Sequence, residues 1–547
     1  MLKKNQEIEL HIDGMSTMGS GVGHYDGLAV FVNNTAVGDT VLCHIIKAKK
    51  NYAIGKLVRV ISPSEDRTEP DCPVSLRCGG CCYRHVSYDA ELRYKEQKVV
   101  DAFTRIGHLN VELEPILGSE EQIAYRNKAQ YPVADFPGKG PQFGFYATSS
   151  HRIVPCMDCR LQPPGFAQVL KIIREWMVRY NISSYDERTH TGLIRHIYLR
   201  QGHYSKELMV CLVVNGRNVP QTYPLIRTLR DEVPNFCTFL LNYNTEKTNV
   251  ILGKEQEVLF GEGFIRDRLL NCTFRVSPQS FYQVNTAQAE VLYRKAAELA
   301  GLQPDDILLD LYCGTGTIGL TMADKVKKLY GVEIVPEAIA DARRNAAENG
   351  ITNAEFFCGD SAMASEQLLH DGVSPDVILV DPPRKGLSPD LIRTISEWDP
   401  KRVVYVSCDP ATLARDCARF QELGWETRRV CPVDMFPRTA HVETVAVLSR
   451  KSASKSFIPV SISPKDMGLS EEKEQPTYAN IRDYVQKTHG MKVSTLYVAQ
   501  MKAECGLETQ ADRSGDKKQP KCPPEKREAI LDAFRHFGLI GEDGTEE

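Results

Sequence analysis

The chain has 547 residues, 42% of them apolar and 25% charged, with a formal net charge of -4. That length leaves room for roughly three or four domains, and the near-neutral charge excludes a broadly basic nucleic-acid glove, so any RNA or DNA contact falls to local patches. With no run of about eighteen apolar residues and no apolar leader after Met1-Leu2-Lys3-Lys4, the sequence predicts a cytoplasmic protein without membrane contact; its 17 cysteines then point to metal ligation, catalysis or burial, not to a disulfide framework.

From about residue 6 to 60, short alternating runs (Ile8-Glu9-Leu10-His11-Ile12, Leu28-Ala29-Val30-Phe31-Val32, Thr40-Val41-Leu42-Cys43-His44-Ile45-Ile46) are separated by glycines, which predicts a small β-barrel over 1–60. Its segment Lys47-Ala48-Lys49-Lys50-Asn51-Tyr52 suits either a phosphate contact with base stacking or a solvated turn. Residues 61–275 mix strands and helices, with a helix expected over 90–107, and form a central α+β domain. Two basic elements there, Tyr125-Arg126-Asn127-Lys128 and the strand-like run from Leu193 to Arg200, are compatible with RNA contact or with ordinary surface charge; His196 and Tyr198 share one face of that strand. From 276 to 450 strands and helices alternate, which implies an α/β, Rossmann-like parallel sheet. Beyond Lys451 a Ser/Pro/Glu-rich linker leads to a helical extension around 478–540, whose charges nearly balance and whose role, in RNA contact, protein contact or packing, stays open. No internal repeat is evident.

The α/β segment carries the chemistry. Asp306-Ile307-Leu308-Leu309-Asp310-Leu311 is a buried strand, and Tyr312-Cys313-Gly314-Thr315-Gly316-Thr317-Ile318-Gly319 turns from it into a helix. A dinucleotide fold would need three spaced glycines and a phosphate-binding loop a Gly-Lys-Ser/Thr, and neither is present. The shorter loop suits a cofactor without phosphate, such as S-adenosylmethionine. A second strand ends at Glu333, placed to accept hydrogen bonds from ribose hydroxyls, and a third reaches Gly359-Asp360, where an adenine edge would lie. Asp381-Pro382-Pro383-Arg384-Lys385-Gly386 follows a fourth strand. Enzymes that methylate exocyclic amines carry an aromatic residue at the fourth position of such a motif; Arg384 there counts against amine chemistry and leaves Asp381 to hold the cofactor or a base.

Ser407-Cys408-Asp409-Pro410 places a thiol just beyond the apolar strand Arg402-Val403-Val404-Tyr405-Val406. Ligands of open α/β sheets bind at the carboxyl ends of the strands, so this thiol faces the cofactor; position alone leaves nucleophile and core filler equally open. Uracil C5 is a poor nucleophile and becomes reactive when a thiolate adds to C6, a task for Cys408. A base must then remove the C5 proton. Ala440-His441-Val442-Glu443-Thr444-Val445 offers two: Glu443, preferred because partial desolvation raises a carboxylate toward neutrality, and His441, which would otherwise orient its neighbour. Upstream, Gln283 can hydrogen-bond a uracil edge or the cofactor, while Phe281 is expected to pack.

Cys72, Cys78, Cys81 and Cys82, with Cys156 and Cys159 much later, supply four or more soft ligands. Spacing alone leaves zinc and an iron-sulfur cluster equally open.

Five motifs in order, Phe281-Tyr282-Gln283-Val284-Asn285, Asp310 to Gly316, Asp381 to Gly386, Ser407 to Pro410 and His441 to Val445, resemble the series of the RNA uracil-5-methyltransferase family over about residues 6–450. The resemblance implies a class I methyltransferase domain with Cys408 as nucleophile and Glu443 as base, and S-adenosylmethionine contacts from Gln283, Tyr312, Glu333 and Asp381. The N-terminal barrel is similar to the OB-like TRAM domain of the ribosomal-RNA members, which implies a uridine in 23S ribosomal RNA as substrate, met before or during subunit assembly, without an obligate protein partner. A uridine inside a duplex would have to be flipped out. Similarity to the cluster-bearing members implies a [4Fe-4S] cluster on Cys72, Cys78, Cys81 and Cys159, with Cys82 and Cys156 as departures that leave the fourth ligand open. Its expected work is to fold an RNA-contacting domain separate from the methyl-transfer motifs. A transfer-RNA uridine methyltransferase and a redox-sensing RNA-binding protein without catalysis are the alternatives.

Overall fold

The computed structural model describes residues 2–451, 476–505, 507 and 521–540, in two compact units, Met1–Ser452 and Ala453–Glu547. The Ser/Pro/Glu-rich linker lies outside the described residues.

The N-terminal strands form a six-stranded sheet that surrounds Ile8, Leu10, Ile12, Val30, Val32, Val41, Cys43 and Ile45. Alternation along Glu7–His11 and Thr40–Ala48 sends every second side chain into this core. The basic segment at 47–52 is exposed, and Tyr52 meets Phe31 edge-on at 6.0 Å.

The central sheet has seven strands. Its strand Leu208–Val214 is apolar and buried at every position, because both faces are covered. Leu208, Val210, Leu212 and Val214 meet the helices Gly165–Arg179 and Thr222–Glu232, while Met209 and Cys211 turn the other way into a core shared with the helix Thr286–Ala300. Burying each such side chain contributes about 1.5–3 kcal/mol relative to exposure. The neighbouring strand Ile194–Gln201 corrects a sequence expectation: Arg195, His196, Tyr198 and Arg200 are all buried, so this is neither an RNA face nor surface charge. Arg195 donates to the carbonyls of Asn244 and Glu246, both at 2.7 Å.

The third sheet has eight strands in the order Ala354–Cys358, Lys328–Glu333, Ile307–Leu311, Val377–Val380, Arg402–Ser407, Glu443–Arg450, Trp425–Val433 and Glu112–Leu113. The first five run parallel, and Glu443–Arg450 is antiparallel to both its neighbours. This is the expected Rossmann-like class I methyltransferase sheet. The helix expected over 90–107 begins at Tyr88, where the Ser87 hydroxyl accepts from the Ala90 amide. It carries Val99, and beyond its end Ala102, Phe103 and Leu109, into the core of this sheet.

In the second unit, Tyr478–His489, Thr495–Glu504 and Pro524–His536 enclose Ile481, Val485, Val498, Met501, Ile530, Ala533 and Phe534. Thr477 and Asn480 form a capping box at the start, and Gly490, at φ 67°, ends the first helix. No helix among the described residues is long and apolar enough to cross a membrane.

Candidate active site

Three adjacent strands present three of the candidate side chains at one edge. Asp381 follows Val377–Val380, Cys408 follows Arg402–Ser407, and Glu443 opens the antiparallel strand between them and the sheet's far side. Ser407 pairs with Thr444, so the next residue on each strand, Cys408 and Glu443, falls across the same gap. The turn at Cys408 is tight because Asp409 caps the helix Pro410–Glu422, accepting from the amides of Ala411 at 3.0 Å and Thr412 at 3.2 Å. The Cys408 thiol is thereby left half-buried.

Burial dominates the electrostatics. Glu443 is pushed up to about 8, by burial first and then by Asp381, with Arg384 opposing. Burial alone carries Asp381 up to about 7. Cys408 is raised by burial, Glu443 and Asp381, whereas the charge and hydrogen bond of Arg384 pull it back. His441 is pushed down to about 4 by burial and by Arg384, Lys98 and Arg126. A neutral imidazole with so low a pKa is a weak proton acceptor, which favours Glu443 over His441 as base.

The cofactor loop holds an open cradle. Tyr312 (φ 68°), Gly314 (φ 56°) and Gly316 (φ 82°) all take left-handed backbone, and the short helix Thr317–Leu320 follows. A Cβ at Gly314 would meet nothing within 4 Å, so the backbone there borders open space. Glu333 accepts from the amides of Gly314 at 3.2 Å and Val335 at 2.9 Å. Asp310 accepts from the Gly319 amide at 3.0 Å through Oδ2, but its Oδ1 is buried without a partner, and the carboxyl is pushed up to about 8, chiefly by burial. An orphaned buried acceptor beside an open glycine turn fits a ligand that carries both a cation and hydrogen-bond donors, as S-adenosylmethionine does.

Gln283 is buried just before the helix Thr286–Ala300, which Asn285 caps by accepting from the Gln288 amide. Two residues of the basic elements that the sequence left between RNA contact and surface charge hold its segment instead. Asn127 Nδ2 donates to the Gln283 carbonyl at 2.8 Å, and Arg200 donates to the carbonyls of Ser277 at 3.0 Å and Ser280 at 3.1 Å. The signal available was a polar side chain inside an apolar strand. Phe281 corrects another expectation: it does not pack but stands 66% exposed, which leaves an aromatic face free beside the site.

Cys72, Cys78, Cys81, Cys156 and Cys159 line one cavity of about 60 Å³ together with Arg84 and Arg126. Cys156 and Cys159 share a hydrogen bond that favours the thiolate of Cys159, and Arg84 is drawn to Cys81. Among the described residues, no group of three or more His, Cys, Asp or Glu side chains is arranged to hold a metal ion. Cys82 turns away from this cavity toward Gly19 and Ala440. The cysteine-bearing segment does not stand apart from the methyl-transfer motifs, because the Cys82 amide donates to the Arg438 carbonyl at 2.9 Å, a few residues before Glu443.

The TRAM domain family model matches residues 2–58, and that of tRNA (Uracil-5-)-methyltransferase matches residues 240–451. An RNA methyltransferase of Clostridium tetani is 44% identical over 448 residues, 82% of this chain and 97% of the relative. The chain belongs to the RNA uracil-5-methyltransferase family. An RNA methyltransferase of Halalkalibacterium halodurans is 43% identical over 452 residues, 82% of this chain and 98% of that protein. Among solved structures, the Pyrococcus abyssi tRNA (uracil-54, C5)-methyltransferase in complex with S-adenosyl-L-homocysteine matches with a TM-score of 0.65 and 28% identity, covering 80% of this chain and 99% of that one. The chain is thus an S-adenosylmethionine-dependent RNA methyltransferase with an N-terminal TRAM domain.

Proposed function

We propose that this family member methylates C5 of a uridine in 23S ribosomal RNA through a covalent adduct at Cys408. The observation that carries the reading is the convergence of Cys408 and Glu443 at the ends of paired strands, with Arg384 against the thiol. Cys408 adds to uracil C6 and makes C5 nucleophilic. S-adenosylmethionine, when bound, supplies the methyl group. Tyr312, Glu333, Asp381 and Gln283 would hold it beside the cradle at Gly314. Glu443 then takes the C5 proton, the C5–C6 double bond re-forms and the Cys408 thiolate leaves.

The domains divide this work as follows. The barrel of 1–60 contacts RNA through the exposed basic and aromatic face around Tyr52, the segment 61–275 supports the site, and 276–450 performs the transfer. Four thiols at one cavity, on Cys72, Cys78, Cys81 and Cys159, suit a [4Fe-4S] cluster, a body that spreads its ligands more widely than a single ion would. Likeness to the Pyrococcus abyssi enzyme over nearly that protein's whole length favours a second reading, transfer RNA as substrate.

Mapping 5-methyluridine in ribosomal and transfer RNA from a deletion strain separates the two. Loss of a 23S modification is expected; loss from transfer RNA alone transfers the assignment to the second reading. Tritium release from RNA labelled at uridine C5 tests the reaction, and none from the cofactor-loaded protein would leave a non-catalytic RNA binder.

A further inference from the structure

The proposed chemistry uses Glu443 but not the buried charges that stand behind it. Lys95, 1% exposed, lies 2.6 Å from Glu91 and 2.6 Å from Asp434, and both carboxylates are fully buried. Asp434 directly follows Val433, which pairs with Glu443, so these charges sit at the start of the connection 434–442 that returns the chain to the base. The helix Tyr88–Asp101 grips that connection along its length. Lys95 also donates to the Phe436 carbonyl at 3.2 Å, Lys98 to the Ala440 carbonyl at 2.9 Å, and Tyr88 to Asp434 at 2.7 Å. Glu91 accepts from the Arg438 amide at 2.6 Å, and the amides of Cys82 and Tyr83 donate to the Arg438 carbonyl. Arg438 needs such a grip, for its φ of 71° is left-handed backbone that a residue other than glycine adopts only when its surroundings impose it.

A buried ion triad is a poor source of stability, because desolvation offsets most of the attraction and apolar residues would fill the space as well. Directional hydrogen bonds fix a loop's conformation in a way that apolar packing does not. We infer that Lys95, with Glu91 and Asp434, is a positioning residue for the base: the triad holds 434–442 so that the Glu443 carboxylate faces the C5 hydrogen of the adduct.

The inference rests on Cys408 as nucleophile and Glu443 as base, and 5-fluorouridine RNA separates it from that reading. With fluorine at C5 the Cys408–C6 bond and the C5–methyl bond form, but no proton can be taken, the double bond cannot re-form and the adduct persists. Its formation therefore reports every step except the one the triad serves. In Lys95→Met, turnover on uridine RNA is expected to fall about 10²-fold, as for a misplaced reacting group, with a covalent complex accumulating on ordinary RNA, KM falling along with kcat and the rate of 5-fluorouridine adduct formation unchanged. Should Lys95→Met fail to fold, Glu91→Gln/Lys95→Met/Asp434→Asn removes the three charges of the triad together, while Arg438, 3.7 Å from Glu91, keeps its hydrogen bonds to the Val86 carbonyl and Gln122; the same split is expected. Turnover and adduct formation falling in parallel, or neither falling, would overturn the positioning role. If the unaltered protein forms no adduct, the covalent reading fails first.

Discussion

Arg384 acts on both the proposed nucleophile and the histidine beside the base: its guanidinium pulls the Cys408 thiol toward thiolate, and its Nη2 lies 3.4 Å from His441 Nδ1. An aromatic residue at this position would stack on a base; the cation instead opposes the burial and the two carboxyl groups that keep the thiol protonated. Arg384→Ala is expected to slow 5-fluorouridine adduct formation at pH 7 about ten-fold, the equivalent of one pKa unit in the thiol, and to shift the pH profile of that step toward alkali. An unshifted profile would remove Arg384 from thiolate stabilisation.

The pH dependence of turnover follows from the same groups. Below about 8 Glu443 carries a proton and cannot accept another, and the raised Cys408 thiol is likewise protonated. Both changes act in one direction, so turnover should climb with pH through about 8 and go on climbing beyond it, because the raised thiol is still protonated there. A profile flat between pH 6 and 8 would show that neither group limits the reaction.

Glu443→Gln keeps the shape of the side chain and loses the base. Addition and methyl transfer need no C5 proton removal, so the variant should accumulate a denaturation-resistant protein–RNA complex on ordinary uridine RNA while turnover drops about 10²–10⁴-fold. Turnover close to that of the unaltered enzyme would pass the role to another group.

Iron and sulfide content of anaerobically purified protein tests the cysteine cavity. Serine at Cys72, Cys78, Cys81 or Cys159 should lower both together, and serine at Cys156 should leave them unchanged. A full complement in Cys159→Ser beside a loss in Cys156→Ser would exchange the fourth ligand; no iron in any form would leave the five thiols without a cluster.

Much of the site was legible because its signals are local. Cys408, Asp381 and Glu333 each follow a short apolar run, and a parallel sheet gathers the ends of such runs on one edge whatever else surrounds them. The glycine turn at 312–316 was legible for a similar reason, since left-handed backbone selects its residues within a few positions. Arg200, Phe281 and the basic run at 193–200 were not, because exposure depends on which surface a strand is later packed against. Arg200 reads as a surface cation in sequence and is 1% exposed in the fold, holding three carbonyls near Gln283.

The sequence by itself determined the alternation of strands and helices, the cofactor turn, and the choice of a thiol and a carboxyl group as candidate partners, since periodicity and turn chemistry act over a few residues. Tertiary structure alone decided how that carboxyl group is held. Lys95 and Asp434 are 339 residues apart in the chain and 2.6 Å apart in the fold, and a contact of that kind has no local signature: it exists only because the helix Tyr88–Asp101 is buried against the sheet whose last strand begins with Glu443.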